Sequence, residues 1–170
     1  MGMAVALNPK RDALEVLRAE HRAIDRLLER FELLDPHDSE RADAAVDIGR
    51  ELTYHTMLEH EIVLPAIEAA ADSPEARMAL EIARLEIDMA NALVERSETL
   101  LDDAVRLDAV FRLLIPLVRR HLSAEEANLF PVLCTSCIDT HQMAAQICDH
   151  RVSIEKAMVD TDALAYEYDD

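Results

Sequence analysis

Two stretches of the chain carry the same donor pair 66 positions apart: His55-x-x-x-Glu59 followed by Pro65, and His121-x-x-x-Glu125 followed by Pro131. Residues at i and i+4 project from one face of an α-helix, so each stretch offers an imidazole nitrogen and a carboxylate oxygen to a common point. Two such pairs on facing helices describe a metal site. Imidazole and carboxylate together suit iron, manganese or zinc, and the two oxygens of a carboxylate let it bridge two ions. The sequence holds no nucleophile–histidine–acid triad and no glycine-rich phosphate loop, which sets hydrolase and nucleotide-binding functions aside.

The duplication reaches upstream. Arg18, Glu20, Leu27, Glu29 and Arg30 recur at the same offset as Arg84, Glu86, Leu93, Glu95 and Arg96, but His21 meets Ile87. One expected ligand is therefore absent from the second half.

The elements that must position these residues are helices. Two glycines, three Phe and three Tyr among 170 residues, against many Ala, Leu and Glu, favour an all-α fold. Turn-forming clusters at 35–39, 71–74, 102–103 and 134–137 divide the chain into five helical segments, predicted at 10–34, 39–70, 74–101, 105–133 and 138–164. Ser73 and Pro74 form an N-cap and first-turn pair. Leu14, Leu17, His21, Ile24, Leu27 and Leu28 give the first helix an apolar stripe that contains a histidine. Short connections between long amphipathic helices predict an up-down-up-down four-helix bundle over 10–133, preceded by an extension at 1–9 and followed by a fifth helix and acidic tail at 134–170. Pro65 and Pro131 lie ten residues beyond the histidines, about 15 Å along the axis, and are expected to shape helix ends.

Antiparallel pairing sets a test, because residues at equal depth lie equidistant from their turn. His21 and His55 have their midpoint at Asp38, His55 and position 87 at Ala71, and positions 87 and 121 at Ala104, all in or beside turns. Four helices thus present positions 21, 55, 87 and 121 in one layer. The midpoint of His121 and His150 falls between Thr135 and Ser136, in the fourth turn, so the fifth helix returns His150 to the same depth. His150 sits on a stripe with Met143, Ile147, Ile154 and Met158, and is a candidate for the place that Ile87 leaves.

The order His21, His55-x-x-x-Glu59, His121-x-x-x-Glu125 over four helices resembles the hemerythrin HHE cation-binding family across about 10–133, and the runs HTMLEHEIVLP and HLSAEEANLFP keep histidine, glutamate and proline in register. The resemblance implies a hemerythrin-like bundle with a non-haem di-iron centre, whose relatives bind oxygen or respond to oxygen, nitric oxide, peroxide or iron. With Glu59 and Glu125 bridging, His21 and His55 would complete one ion, and His121 with one further group the other. The third-helix histidine of the family falls at Ile87, which cannot coordinate. The readings of that gap are His150, Glu86 or Asp88 on a rotated helix, water, or a bundle without metal.

A net charge of −18 and a pI near 4.6 argue against nucleic acid or an anionic membrane as partner, and favour metal cations. Without a spanning apolar run or a secretory leader, the expected location is cytoplasmic. The odd count of three cysteines fits reduced thiols. Cys134-x-x-Cys137, with His141 and Cys148, is open to zinc binding, thiol redox or no role. Three functions follow: a protein that binds or senses a diatomic or peroxide ligand at iron; a redox or repair enzyme or iron donor; or a structural bundle with one metal or none.

Overall fold

Four of the five helices start where a short polar side chain supplies a cap. Asp12 Oδ1 accepts from the Leu14 N–H at 2.8 Å to open α1 (Ala13–Leu33). Ser73 Oγ accepts from Ala76 at 3.1 Å, with Pro74 in the first turn, to open α3 (Pro74–Glu98). Asp103 Oδ1 accepts from Arg106 at 3.1 Å to open α4 (104–135). Asp139 Oδ1 accepts from His141 and Gln142, both at 3.0 Å, ahead of α5 (Thr140–Glu167). Between α1 and α3 runs α2 (40–70). The computed structural model describes residues 12–167, with side chains through Ile154 and at Lys156. The extension predicted at 1–9 and residues 168–170 of the acidic tail lie outside the described residues.

The chain is an all-α bundle. Successive helices α1 to α4 pack as neighbours, α4 also meets α1, and α5 lies along α1 and α2. No helix among the described residues is long and apolar enough to cross a membrane.

The two longest bundle helices are each interrupted by one π-turn, Glu59–Val63 in α2 and Glu125–Leu129 in α4. The Leu64 and Phe130 N–H groups reach back five residues to the carbonyls of Glu59 and Glu125. The prolines explain both. Pro65 and Pro131 have no N–H to give the carbonyl four residues earlier, and their rings crowd it, so the helix widens there and continues. They therefore act inside continuous helices and not at helix ends as expected from sequence. The inserted residue also resets the buried face, which passes from Glu59 to Val63, Leu64 and Ile67, and from Glu125 to Leu129, Phe130 and Leu133.

The core has two apolar parts. One gathers Leu14, Leu17, Leu58, Leu64, Ile87, Phe130 and Ile147; the other gathers Ile24, Phe31, Ile48, Leu52, Phe111, Leu114 and Val118. Between them lies a layer of buried histidine and glutamate.

Candidate metal centre

The layer contains Glu20, His21, His55, Glu59, Glu86, His121 and Glu125, each 6% exposed or less. His55 and Glu59 share the inner face of α2, and His121 and Glu125 that of α4. Donor atoms of these four residues all lie within 4.8 Å of one another. His121 Nε2 is 3.1 Å and His55 Nε2 3.6 Å from the same oxygen, Glu59 Oε1. His21 joins from α1 through the other carboxylate, its Nε2 3.1 Å from Glu125 Oε2. His55 and His121 thus meet at Glu59 and His21 joins through Glu125, while the His55 ring lies 5.2 Å from that of His21 and 6.3 Å from that of His121.

Each imidazole is backed on its other nitrogen by an outer carboxylate. His21 Nδ1 is 2.8 Å from Glu126 Oε1, His121 Nδ1 is 3.1 Å from Glu86 Oε2, and His55 Nδ1 faces Glu20 Oε2 at 3.8 Å. Arginines close the outer ring: Arg18 on Glu126, Arg120 on Glu86, and Arg151 on Glu20 and Glu51. Phe130 stacks on the His21 ring with centroids 5.5 Å apart.

Electrostatics follow from burying these groups together. Burial alone would lower His55, but attraction to Glu59, then to Glu20 and Glu125, raises it to about 9. His121 is likewise raised against its burial by Glu59 and Glu125. The two central carboxylates separate. Burial works to raise both, yet the charges of His55 and His121 hold Glu59 below the usual range, whereas Glu125, facing Glu59, is pushed up. Two carboxylates this close cannot both be charged without a cation, so protons fill that role until a metal does.

The residues fit a metal ion. Glu59 Oε2, both Glu125 oxygens, His21 Nε2 and His55 Nε2 are buried without a hydrogen-bond partner, a costly state that coordination relieves. The donor set, imidazole nitrogen with carboxylate oxygen, suits iron, manganese or zinc.

The remaining sequence candidates fall elsewhere. His150 is not brought to the cluster; its Nε2 hydrogen-bonds Glu61 Oε2 at 2.6 Å beside an open groove between α2 and α5. The face of α5 that packs inward carries Met143, Ala144, Ile147, Arg151 and Ile154. That register seats Arg151, and His150 lies about 100° away. Ile87 is 1% exposed in the apolar core, Asp88 is exposed, and Glu86 serves His121 Nδ1. No described residue thus takes the vacant ligand position. Cys134 and Cys137 are exposed, Cys148 is half-buried, and none joins a cation-binding group among the described residues. Sequence reasoning gave Glu20 and Arg151 no role, although the recurrence of Glu20 at Glu86 was a usable signal.

These features define a helical bundle built around a cation-binding histidine–glutamate layer. The sequence model of the hemerythrin HHE cation binding domain matches residues 12–151, and the chain belongs to that family. The match extends past α4 into α5. Searches among curated proteins and among solved structures found no match.

Proposed function

We propose that this chain holds non-haem iron in its histidine–glutamate layer and uses it to bind or sense a small ligand: oxygen, nitric oxide or peroxide. The observation that carries the reading is the set of buried, unpartnered donor atoms of His21, His55, Glu59 and Glu125, converging with His121 in a layer sealed by apolar core on both sides. Iron in such a set supplies a redox-active cation that takes small diatomic or peroxide ligands. His55, Glu59, His121 and Glu125 hold the more firmly bound ion, and His21 with Glu125 supports a weaker second one, because Ile87 offers it nothing.

A cavity at the His21 edge of the layer favours binding over a purely structural role. That cavity, about 280 Å³ between α1 and α4, is lined by His21, Asp25, Arg119, Leu122, Ser123 and Glu126. It reaches the His21 edge of the layer from solvent. The test is anaerobic loading with ferrous iron, dialysis, metal counting by mass spectrometry, and absorption spectra before and after oxygen or nitric oxide. The expected result is one retained iron, a second lost on dialysis, and a spectrum altered by the gas. A protein that retains no iron, or an iron spectrum indifferent to both gases, refutes the reading.

A further inference from the structure

The two halves of the repeat share more than their inner donors. Glu20 precedes His55 by the same 35 positions by which Glu86 precedes His121. Both carboxylates are 3% exposed, and both turn one oxygen to an arginine and the other to a histidine Nδ1. Glu20 gives Oε1 to Arg151 at 3.2 Å and turns Oε2 toward His55 Nδ1, an ion-pair contact at 3.8 Å that is longer than a hydrogen bond. Glu86 gives Oε1 to Arg120 at 2.6 Å and Oε2 to His121 Nδ1 at 3.1 Å. The arginines come from unrelated places, one from α5 and one from α4, so the repeat alone does not dictate the arrangement.

We infer that Glu20 and Glu86 are a matched pair of positioning residues that fix the His55 and His121 rings for metal binding, with Arg151 and Arg120 setting the carboxylates. The inference rests on the metal reading above. A carboxylate on Nδ1 keeps that nitrogen protonated and leaves the Nε2 lone pair as the donor. It also fixes the ring plane and makes the imidazole a stronger base. In both halves Nε2 is then aimed at one atom, Glu59 Oε1. Arg151 gives α5 a part in this arrangement: it spans Glu20 on α1 and Glu51 on α2, and so locks the carboxylate behind His55 from outside the four-helix bundle.

Cobalt(II) titration tests the inference, since the absorption bands of bound cobalt report ligand number and geometry without any turnover. Glu20→Gln and Glu86→Gln keep side-chain size and an acceptor oxygen but remove the charge. Glu61→Gln is the control, because it breaks a histidine–carboxylate pair, that with His150, outside the layer. Each Gln variant in the layer is expected to weaken cobalt binding by about 10–100-fold and to shift the cobalt bands. The control should match the parent, and melting of the metal-free proteins should not follow the same order. A merely structural carboxylate would instead change metal-free melting and leave the bands in place. Parent-like affinity and bands in both layer variants overturn this inference alone. Failure of the unaltered protein to bind cobalt or iron overturns the metal reading and this inference with it.

Discussion

Glu125→Gln should make the metal-free protein more stable while removing its response to metal. Glu125 is 1% exposed, neither oxygen meets a donor in hydrogen-bond geometry although His21 Nε2 stands 3.1 Å from Oε2, and Glu59 stands across from it. An unsatisfied buried polar group costs about 1–3 kcal/mol, more when charged. The amide is of the same size, carries no charge to be neutralised by a proton, and can donate to Glu59. A gain of about 1 kcal/mol is a conservative share of that cost, and for a domain of this size it raises the melting temperature by about 2–4 °C. In the parent, ferrous iron at 100 times its dissociation constant adds about 2.7 kcal/mol, or roughly 5–10 °C at the same conversion. Calorimetry of both proteins, with chelator and with anaerobic iron, reads the two effects separately. The expected pattern is a crossing: the variant melts higher without iron and lower with it. A variant that melts below the parent in chelator would refute the reasoning, because Glu125 would then be a satisfied structural group. A variant that keeps the full iron-induced rise would refute its place in the metal site.

Three further perturbations follow from the geometry. Ile87→His restores an imidazole to the third helix and should raise the iron retained after dialysis from one toward two per chain, counted by mass spectrometry. Pro65→Ala and Pro131→Ala return the missing N–H donors, let the π-turns revert to α-helix and rotate Glu59 or Glu125 out of register; metal retention should fall while circular dichroism stays fully helical. Asp108→Asn tests the clamp at the far end of the bundle, where Arg41 joins Phe31 and Leu34 carbonyls to Asp108 at 2.6 Å. The Arg112 hydrogen bond and then Arg41 hold the Asp108 carboxyl below its usual range. A depressed carboxylate stabilises the fold above its unfolded value and ceases to do so as pH falls through its folded one. The variant should therefore lose about 1 kcal/mol at neutral pH, with the gap closing below about pH 3.9, as denaturant titrations across pH will read.

The sequence carried the helices because they rest on local signals: the Ser73–Pro74 cap, turn clusters such as Asp102-Asp103, few glycines, and apolar stripes. The common depth of His21, His55 and His121 was legible for a different reason, since antiparallel hairpins convert chain position into height. What the sequence could not resolve was rotation about a helix axis. Residues 150 and 151 both fit the stripe of α5, and packing against α1 and α2 decided for Arg151. A one-residue shift in facing changes no midpoint, so the depth argument was blind to it. The π-turns escaped for the same reason, although a proline six residues after each central glutamate was their mark. The outer carboxylates escaped because a buried glutamate in a sequence looks like any solvated one.

The asymmetry of the layer is itself a packing result. His21 rests against Phe130, and 66 residues on, Ile87 lies in the same apolar cluster as Leu64, the repeat partner of Phe130. An imidazole at position 87 would stand in that cluster needing a metal or a hydrogen bond; isoleucine there needs neither and extends the apolar core. The second half of the repeat therefore exchanges one ligand for burial, while His121 keeps its outer partner Glu86 and its inner partner Glu59. Retaining that costly pair beside a position already given up to the core fits a ligand's role for His121, whose donor atoms lie within 4.8 Å of those of His55, Glu59 and Glu125.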